Sequence, residues 1–329
     1  MNACPDRVSD GQRGLALVLT LLVLVLLVTA VLEFDRSTRT SIRAAGNFRD
    51  GMKAFHLATS GVAAAQAVLR DDLQKKPTVD DLTELWATPY PPYPVGDGTV
   101  ALAIQDEGGK LNINALVTTN GEVPKDDYVR QELRALFTLK EFDPDVVDAI
   151  VDWLDWNDIP EPRGAEGAYY QGLDRPYASR NYWIDTLSEL HLVKGVTDEV
   201  FRAISSYLTV YPVKPGGPYK VNVNTADPIV LQALVIRRDA NAPYEPALSA
   251  EEVDRIVAAR PFKTMLEFAN GVGMSDTDPR RTLLQQQLDV KSSFFSVYSE
   301  GEVNGVKKAV IAVVNRPRDQ ALTYWRLAD

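Results

Sequence analysis

Cysteine and histidine are almost missing from this chain: its 329 residues hold one cysteine, Cys4, and two histidines, His56 and His191. A lone cysteine forms no intrachain disulfide and cannot build a cysteine-rich zinc site. The two histidines stand in unrelated helix-forming contexts and read as ordinary helix residues. There is no Gly-x-Ser-x-Gly elbow and no P-loop, so neither a hydrolase nucleophile nor a phosphate cradle is signalled, and the chain reads as a non-enzyme. Basic residues are also in deficit. Lys and Arg number 35 against 45 Asp and Glu, a net charge of −10, which argues against a general nucleic-acid binder. A mean hydropathy of −0.16 excludes a polytopic membrane protein. It leaves room for one span.

Leu15 to Leu32 supplies that span. The run LALVLTLLVLVLLVTAVL carries no charge, and eighteen residues at 1.5 Å each reach about 27 Å, close to the roughly 30 Å hydrocarbon core of a bilayer. A secretory signal places its small-residue cleavage site after the apolar stretch. Here Arg13-Gly14 comes before it. That order resembles a prepilin leader, cut after Gly14 by prepilin peptidase so that Leu15 becomes the first mature residue and Cys4 is removed. The alternative is a signal anchor that is never cut. Charge alone does not orient the span, because Arg36, Arg39, Arg43, Arg49 and Lys53 follow it while the leader is neutral.

No proline interrupts Glu33 to Gln74, and Ile42, Phe48, Met52, Phe55, Val62 and Leu69 recur at helical spacing. Ala54, Ala58, Gly61, Ala64 and Ala65 offer a face for close packing. The pattern predicts one long helix, membrane-embedded at its start, ending before Pro77. Further on, residues 99–105 alternate as a strand. Phe294 to Gly301 and Val306 to Val314 flank Asn304-Gly305, a strong hairpin signal. Thr323 to Leu327 can add an edge strand.

Between these strands the sequence repeats. Lys110 opens KLNINAL and Lys220 opens KVNVNTA, each with Asn-x-Asn. Val147-Asp148-Ala149-Ile150-Val151 matches Val253-Asp254-Arg255-Ile256-Val257. The first of these helices is signalled by Asp143-Pro144, the second by a Ser249…Glu252 capping box. Trp183…Thr186…Glu189…Gly195 then matches Phe262…Thr264…Glu267…Gly273. Three pairs in one order indicate two versions of a small helical module.

The Arg13-Gly14 leader, DEGGKLNINAL, DWLDWNDIPEPRGAEGAYY and KVNVNTADPIVLQAL together resemble the minor pseudopilin K family of bacterial type II secretion systems. The expected fold is α+β: a single N-terminal transmembrane and long pilin-like α-helix, an antiparallel β-sheet head, and a large inserted α-helical region of two helix-hairpin-helix/SAM-like modules. The expected divisions are a leader over 1–14, the anchor and long helix over 15–75, the first part of the β head over 95–110, module 1 over 111–212, module 2 over 220–290, and a closing hairpin over 291–329. The resemblance implies a tip subunit of the pseudopilus, anchored in the inner membrane with its bulk in the periplasm, that joins minor pseudopilins I and J in assembly and export. Leu19, the fifth residue counting from Leu15, stands where major pilins carry the Glu that recruits the next subunit, which suits an end position.

The second module, VNVNTADPIVLQAL with SAEEVDRIVAARPF, also resembles the helix-hairpin-helix units of DNA-uptake and repair proteins, which bring backbone amides to phosphate. Asp227, Glu251, Glu252 and Asp254 surround it here, so nucleic acid is not expected. A membrane-anchored DNA receptor of a competence-type system stays as one alternative, to be distinguished by a basic stripe. Asp145, Asp148, Asp152 and Asp155 share one helix face, and for Asp145 and Asp148 a solvated acidic face is the expectation. Beyond them, Trp156 to Glu166 is a Pro/Gly loop rich in oxygen donors, of the irregular kind that holds Ca²⁺, although its spacing is not that of an EF-hand. The family resemblance implies Ca²⁺ in this region, with Asp155, Asp158 and Glu166 as ligands and Asp152, Glu161 and Asp174 in reserve. A calcium-dependent periplasmic binding protein with an uncleaved anchor is the other alternative.

Overall fold

The computed structural model describes residues 10–124, 127–214, 219–239, 241–316 and 321–328. Residues 1–9 of the expected leader, Cys4 among them, lie outside these. One helix runs without a break from Asp10 to Lys75, 66 residues, or about 99 Å. Every residue from Gly14 to Leu32 on it is exposed, and the segment is long and apolar enough to cross a membrane.

Burial on this helix begins at Asp50. Ala54, Ala58, Val62, Ala65 and Leu69, spaced by three and four, then form the stripe that meets the sheet. The small residues thus make the packing face, except Ala64, which is exposed. Ile42, Phe48 and Met52 remain exposed above it. Close approach explains the choice. A Cβ on Gly61 would lie 2.0 Å from Ser299 Oγ, and one on Gly301 would lie 2.1 Å from the Ala54 carbonyl oxygen.

The sheet is antiparallel throughout, in the order Tyr93–Val95, Gly98–Asp106, Phe294–Val303, Val306–Asn315, Ala321–Ala328. The hairpin turns at Asn304-Gly305 with both residues at positive φ, as a two-residue loop requires. Phe295, Val297, Val310, Ala312 and Val314 pack with Trp86 and Ile104 against the long helix. The fold is therefore α+β, with the first sheet strands and the closing hairpin bracketing the shorter helices that lie between Ile113 and Gln287.

The bracketed region has one continuous hydrophobic core, running from Leu111 to Val290. Within it the two Asn-x-Asn motifs do the same work twice. Asn112 Oδ1 accepts Asn114 N and Asn222 Oδ1 accepts Asn224 N, both at 2.9 Å. Asn114 clasps the backbone of Ile184, and Asn224 clasps that of Phe262. Each first strand pairs in parallel with a closing strand, Leu111–Asn112 with Leu208–Thr209 and Val221–Asn222 with Leu288–Asp289. This geometry corrects the sequence register by one residue: Ile184, not Trp183, is the counterpart of Phe262. Thr186 and Thr264 then fall into line, and Glu189 and Glu267 accept from Asp185 N and Lys263 N in turn. The Ser249–Glu252 capping box is present. The earlier helix starts at Val146, later than Asp143-Pro144 suggested, with Asp143 accepting Asp145 N in the turn before it.

A buried polar junction ties head to helical region. Asp106 accepts from Gly108 N, Ser292 Oγ and Thr225 Oγ1. Arg316, 1% exposed, pairs with Asp72 at 2.8 Å and Asp80 at 2.6 Å. Asp72, Asp80 and Glu84 lie close enough to hold a cation, but the Arg316 guanidinium already supplies positive charge there.

Candidate metal centre

The helix Val146–Leu154 is apolar enough to be buried almost all round: Val147 through Leu154 are all buried. That overturns the solvated face expected at Asp148, which is 3% exposed. A buried carboxylate needs partners, and Asp148 finds Arg130 Nη at 2.9 Å and Arg134 Nη at 2.7 Å, both from the helix Tyr128–Leu139. Asp145 is ion-paired with Arg134 and, at 3.6 Å, with Arg163.

One turn further on, the helix ends because Asp155 becomes extended, and two consecutive side-chain turns shape the loop. Asp155 Oδ1 accepts Asn157 N at 3.3 Å and Asn157 Oδ1 accepts Ile159 N at 2.7 Å. Asp152 reaches across to accept Glu161 N at 3.0 Å. The chain then passes so close that a Cβ on Gly164 would lie 1.8 Å from Asp152 Oδ2. Lys194 Nζ fixes this pass from outside by donating to the carbonyls of Arg163 and Gly164. Glu166 begins the short helix Gly167–Gln171 without using its side chain as a cap.

The result is a trio. Oxygens of Asp152, Asp155 and Glu166 all lie within 4.8 Å of one another, at 0%, 1% and 5% exposure. Neither Glu166 oxygen has a hydrogen-bond partner. Burial first, and the neighbouring carboxylates next, raise Asp155 to about 6 and Glu166 to about 7; Asp152 is raised as well, chiefly by burial. Three buried carboxylates with unused lone pairs are a donor set for a hard cation, and the all-oxygen chemistry suits Ca²⁺.

Of the residues singled out from the sequence, Asp155 and Glu166 are in the trio and Asp152 is the third member. Asp158 stands at the exposed rim, within hydrogen-bonding reach of Asn181 at 3.3 Å, and its charge contributes to raising Glu166. Glu161 is tied to Arg130 at 2.9 Å. Asp174 is exposed and outside the cluster. Sequence reasoning missed Arg130, Arg134, Gly164 and Lys194, which hold the loop. The Arg130/Arg134 pair at i,i+4 was the readable hint. Gly14, Leu15 and Leu19 all lie exposed on the long helix.

Comparison with known proteins settles the family. A family model described as type II secretion system (T2SS), protein K, matches residues 109–213, which include the whole acidic loop. Type II secretion system protein K of Pseudomonas aeruginosa is 33% identical over 235 residues, 68% of each chain. The chain belongs to the type II secretion system protein K family. With that membership goes the role of a minor pseudopilin in type II secretion. The family member of Aeromonas hydrophila is 29% identical across 96% of both chains, so the likeness spans anchor, head and helical insert. In fold the chain resembles a solved structure, the GspK-GspI-GspJ complex from the enterotoxigenic Escherichia coli type 2 secretion system. The TM-score is 0.71 at 17% identity, over 88% of this chain and 99% of that one.

Proposed function

We propose that this protein is the tip-forming minor pseudopilin of a type II secretion pseudopilus, held in the inner membrane by Leu15–Leu32 with its head in the periplasm. The observation that carries the reading is the long helix itself. Its lower half is covered by the sheet along Ala54 to Leu69, while Ile42, Phe48 and Met52 stay exposed above. Exposed apolar side chains on a helix that continues from a membrane span offer packing surface to other helices, and neighbouring pseudopilin helices are the natural cover. Leu19 offers no carboxylate for a further subunit, which suits the end of a filament.

Minor pseudopilins I and J are the proposed partners, in keeping with the complex in which the solved relative occurs. The helical bulk, two helix-hairpin-helix/SAM-like units built on the paired Asn-x-Asn clasps, projects from the head as the tip surface. We assign Ca²⁺ to Asp152, Asp155 and Glu166, with Asp158 at the rim; the ion would neutralise the trio and order the Pro-rich loop. Mg²⁺ should serve less well, because it demands a tight octahedron and gives up water reluctantly.

Co-expression tests the reading. Affinity-tagged full-length protein extracted in detergent should bring down I and J together, and should not form filaments alone. Failure to bind either partner, or homopolymeric fibres of this chain by itself, would overturn it.

A further inference from the structure

Between Glu33 and Arg49 the long helix carries four arginines against two carboxylates, in a chain whose net charge is −10. The head does not cover this stretch: every residue of it except Gly46 is exposed. The head meets the helix only from Asp50, which accepts Asn304 Nδ2 at 3.0 Å, about 27 Å along the axis from Leu32.

The basic residues divide into two sets. Those next to the head are paired with it or beside it, Arg49 with Asp50 at 2.9 Å and Lys53 with Asp97 at 2.7 Å. Those next to the apolar run are Arg36, Arg39 and Arg43, which at spacings of three and four share one face of the helix. Arg39 pairs with Asp35 at 2.8 Å, but the two side chains are 71% and 55% exposed, and such a pair contributes little. Among the described residues no carboxylate pairs with Arg36 or Arg43. At about 100° per residue, Phe48 and Met52 fall on the far side of the helix from this stripe, so its contacts do not compete with theirs.

Helix geometry sets the depth of the stripe. Arg36 lies about 6 Å beyond Leu32 and Arg39 about 10 Å, against a headgroup layer about 5–8 Å deep. Side chains on a helix tilt toward its N-terminus, which here is the membrane end. The three arginines therefore lean back toward the bilayer, as snorkelling cations do, and that tilt brings Arg43 toward the outer edge of the layer. A guanidinium takes two phosphate oxygens at once. The opposite charge at that depth is lipid phosphate, and the stripe continues directly from the span.

We propose that the face formed by Arg36, Arg39 and Arg43 docks on anionic phospholipid headgroups of the leaflet from which the helix emerges, and so fixes the depth of the anchor. The inference rests on Leu15–Leu32 lying in a bilayer, and not on which side of the membrane holds the head.

Lipid selectivity tests it. Full-length protein is reconstituted in phosphatidylcholine vesicles with a trace of spin-labelled phosphatidylglycerol or spin-labelled phosphatidylcholine, and electron paramagnetic resonance reads the fraction of each that the protein immobilises. Phosphatidylglycerol should be held roughly twofold more strongly or better, with the preference largely screened at about 1 M salt. Arg36→Gln with Arg43→Gln should remove about half of that preference or more. Arg49→Gln with Lys53→Gln takes away the same charge beside the head and should leave the preference intact. Equal immobilisation of both lipids by the parent, or equal losses in the two double variants, would overturn the proposal. A stripe variant that keeps the lipid preference but no longer brings down I and J would also overturn it, assigning the stripe to neighbouring subunits. Release of the parent from the vesicles by alkaline carbonate would overturn the anchor itself, and the proposal with it.

Discussion

Glu166→Gln should shift stability in opposite directions with and without calcium. In the cation-free protein three carboxylates crowd within 4.8 Å behind almost no solvent. Burial, then Asp152, Asp155 and Asp158, raise the Glu166 carboxyl from 4.5 to about 7. A carboxyl whose folded value lies above its unfolded one gives stability that is complete below about pH 4.5 and is lost as pH rises through about 7. At pH 8 the ionised group therefore costs on the order of 3 kcal/mol, an upper figure that water entering the site would lower. The neutral amide escapes that cost. In EDTA at pH 8 the variant should melt several degrees above the parent, at roughly 2–4 °C per kcal/mol for a protein of this size. At pH 5 the difference should close. With calcium at about 100 times Kd the parent gains about 2.7 kcal/mol, whereas the variant, lacking one charged ligand, should gain less than half of that. Thermal melts followed by circular dichroism on the detergent-solubilised chain, at both pH values with EDTA or about 1 mM CaCl₂, read all four conditions. A variant that melts below the parent in EDTA at pH 8, or that gains as much from calcium, would refute the reasoning.

Gly164→Ala should halve the calcium-induced shift in melting temperature or more, because its Cβ takes the place of the Asp152 carboxylate, 1.8 Å away; an unchanged shift in the same melts would remove Asp152 from the site. Gly301→Val should cost roughly 2–4 kcal/mol in denaturant titration by forcing the long helix off the sheet. Glu132 is 1% exposed, and burial raises its carboxyl well above the usual range, the Val235 amide opposing this only in part. Its stability contribution is thus present at pH 4 and lost towards neutral pH. Glu132→Gln should stabilise the protein at pH 8 by roughly 1–3 kcal/mol and leave pH 4 unchanged, as read by melts across pH.

What the sequence made legible was whatever rests on local periodicity. The proline-free run to Lys75 and the Asn304-Gly305 hairpin state their geometry within a few residues, and both stand in the structure. The helix around Asp148 does not. A face with Asp at three- and four-residue spacing looks solvated, yet the helix is covered on every side. Its counterions, Arg130 and Arg134, lie 18 and 14 residues away, on another helix that no local pattern connects to it. For the same reason Asp152 seemed secondary to Asp158. Residues in an exposed Pro/Gly loop advertise oxygen ligands, whereas inward orientation is decided by packing. The one-residue slip at Trp183 has a similar origin: the register is set by the Asn114 clasp on Ile184, 70 residues apart. Arg316 with Asp72 and Asp80 spans still longer separations, and nothing in either segment announces the other.

The central claim is that the apolar helix is kept and the polar residues before it are removed, which separates a pseudopilin from a plainly anchored protein. N-terminal sequencing of the protein extracted from membranes of a host carrying prepilin peptidase measures this directly. The account predicts a mature chain that begins at Leu15, and failure of that processing when Gly14 is replaced by a bulky residue. A chain that still begins at Met1, or one whose first residue lies within or beyond the run Leu15–Leu32, would contradict it.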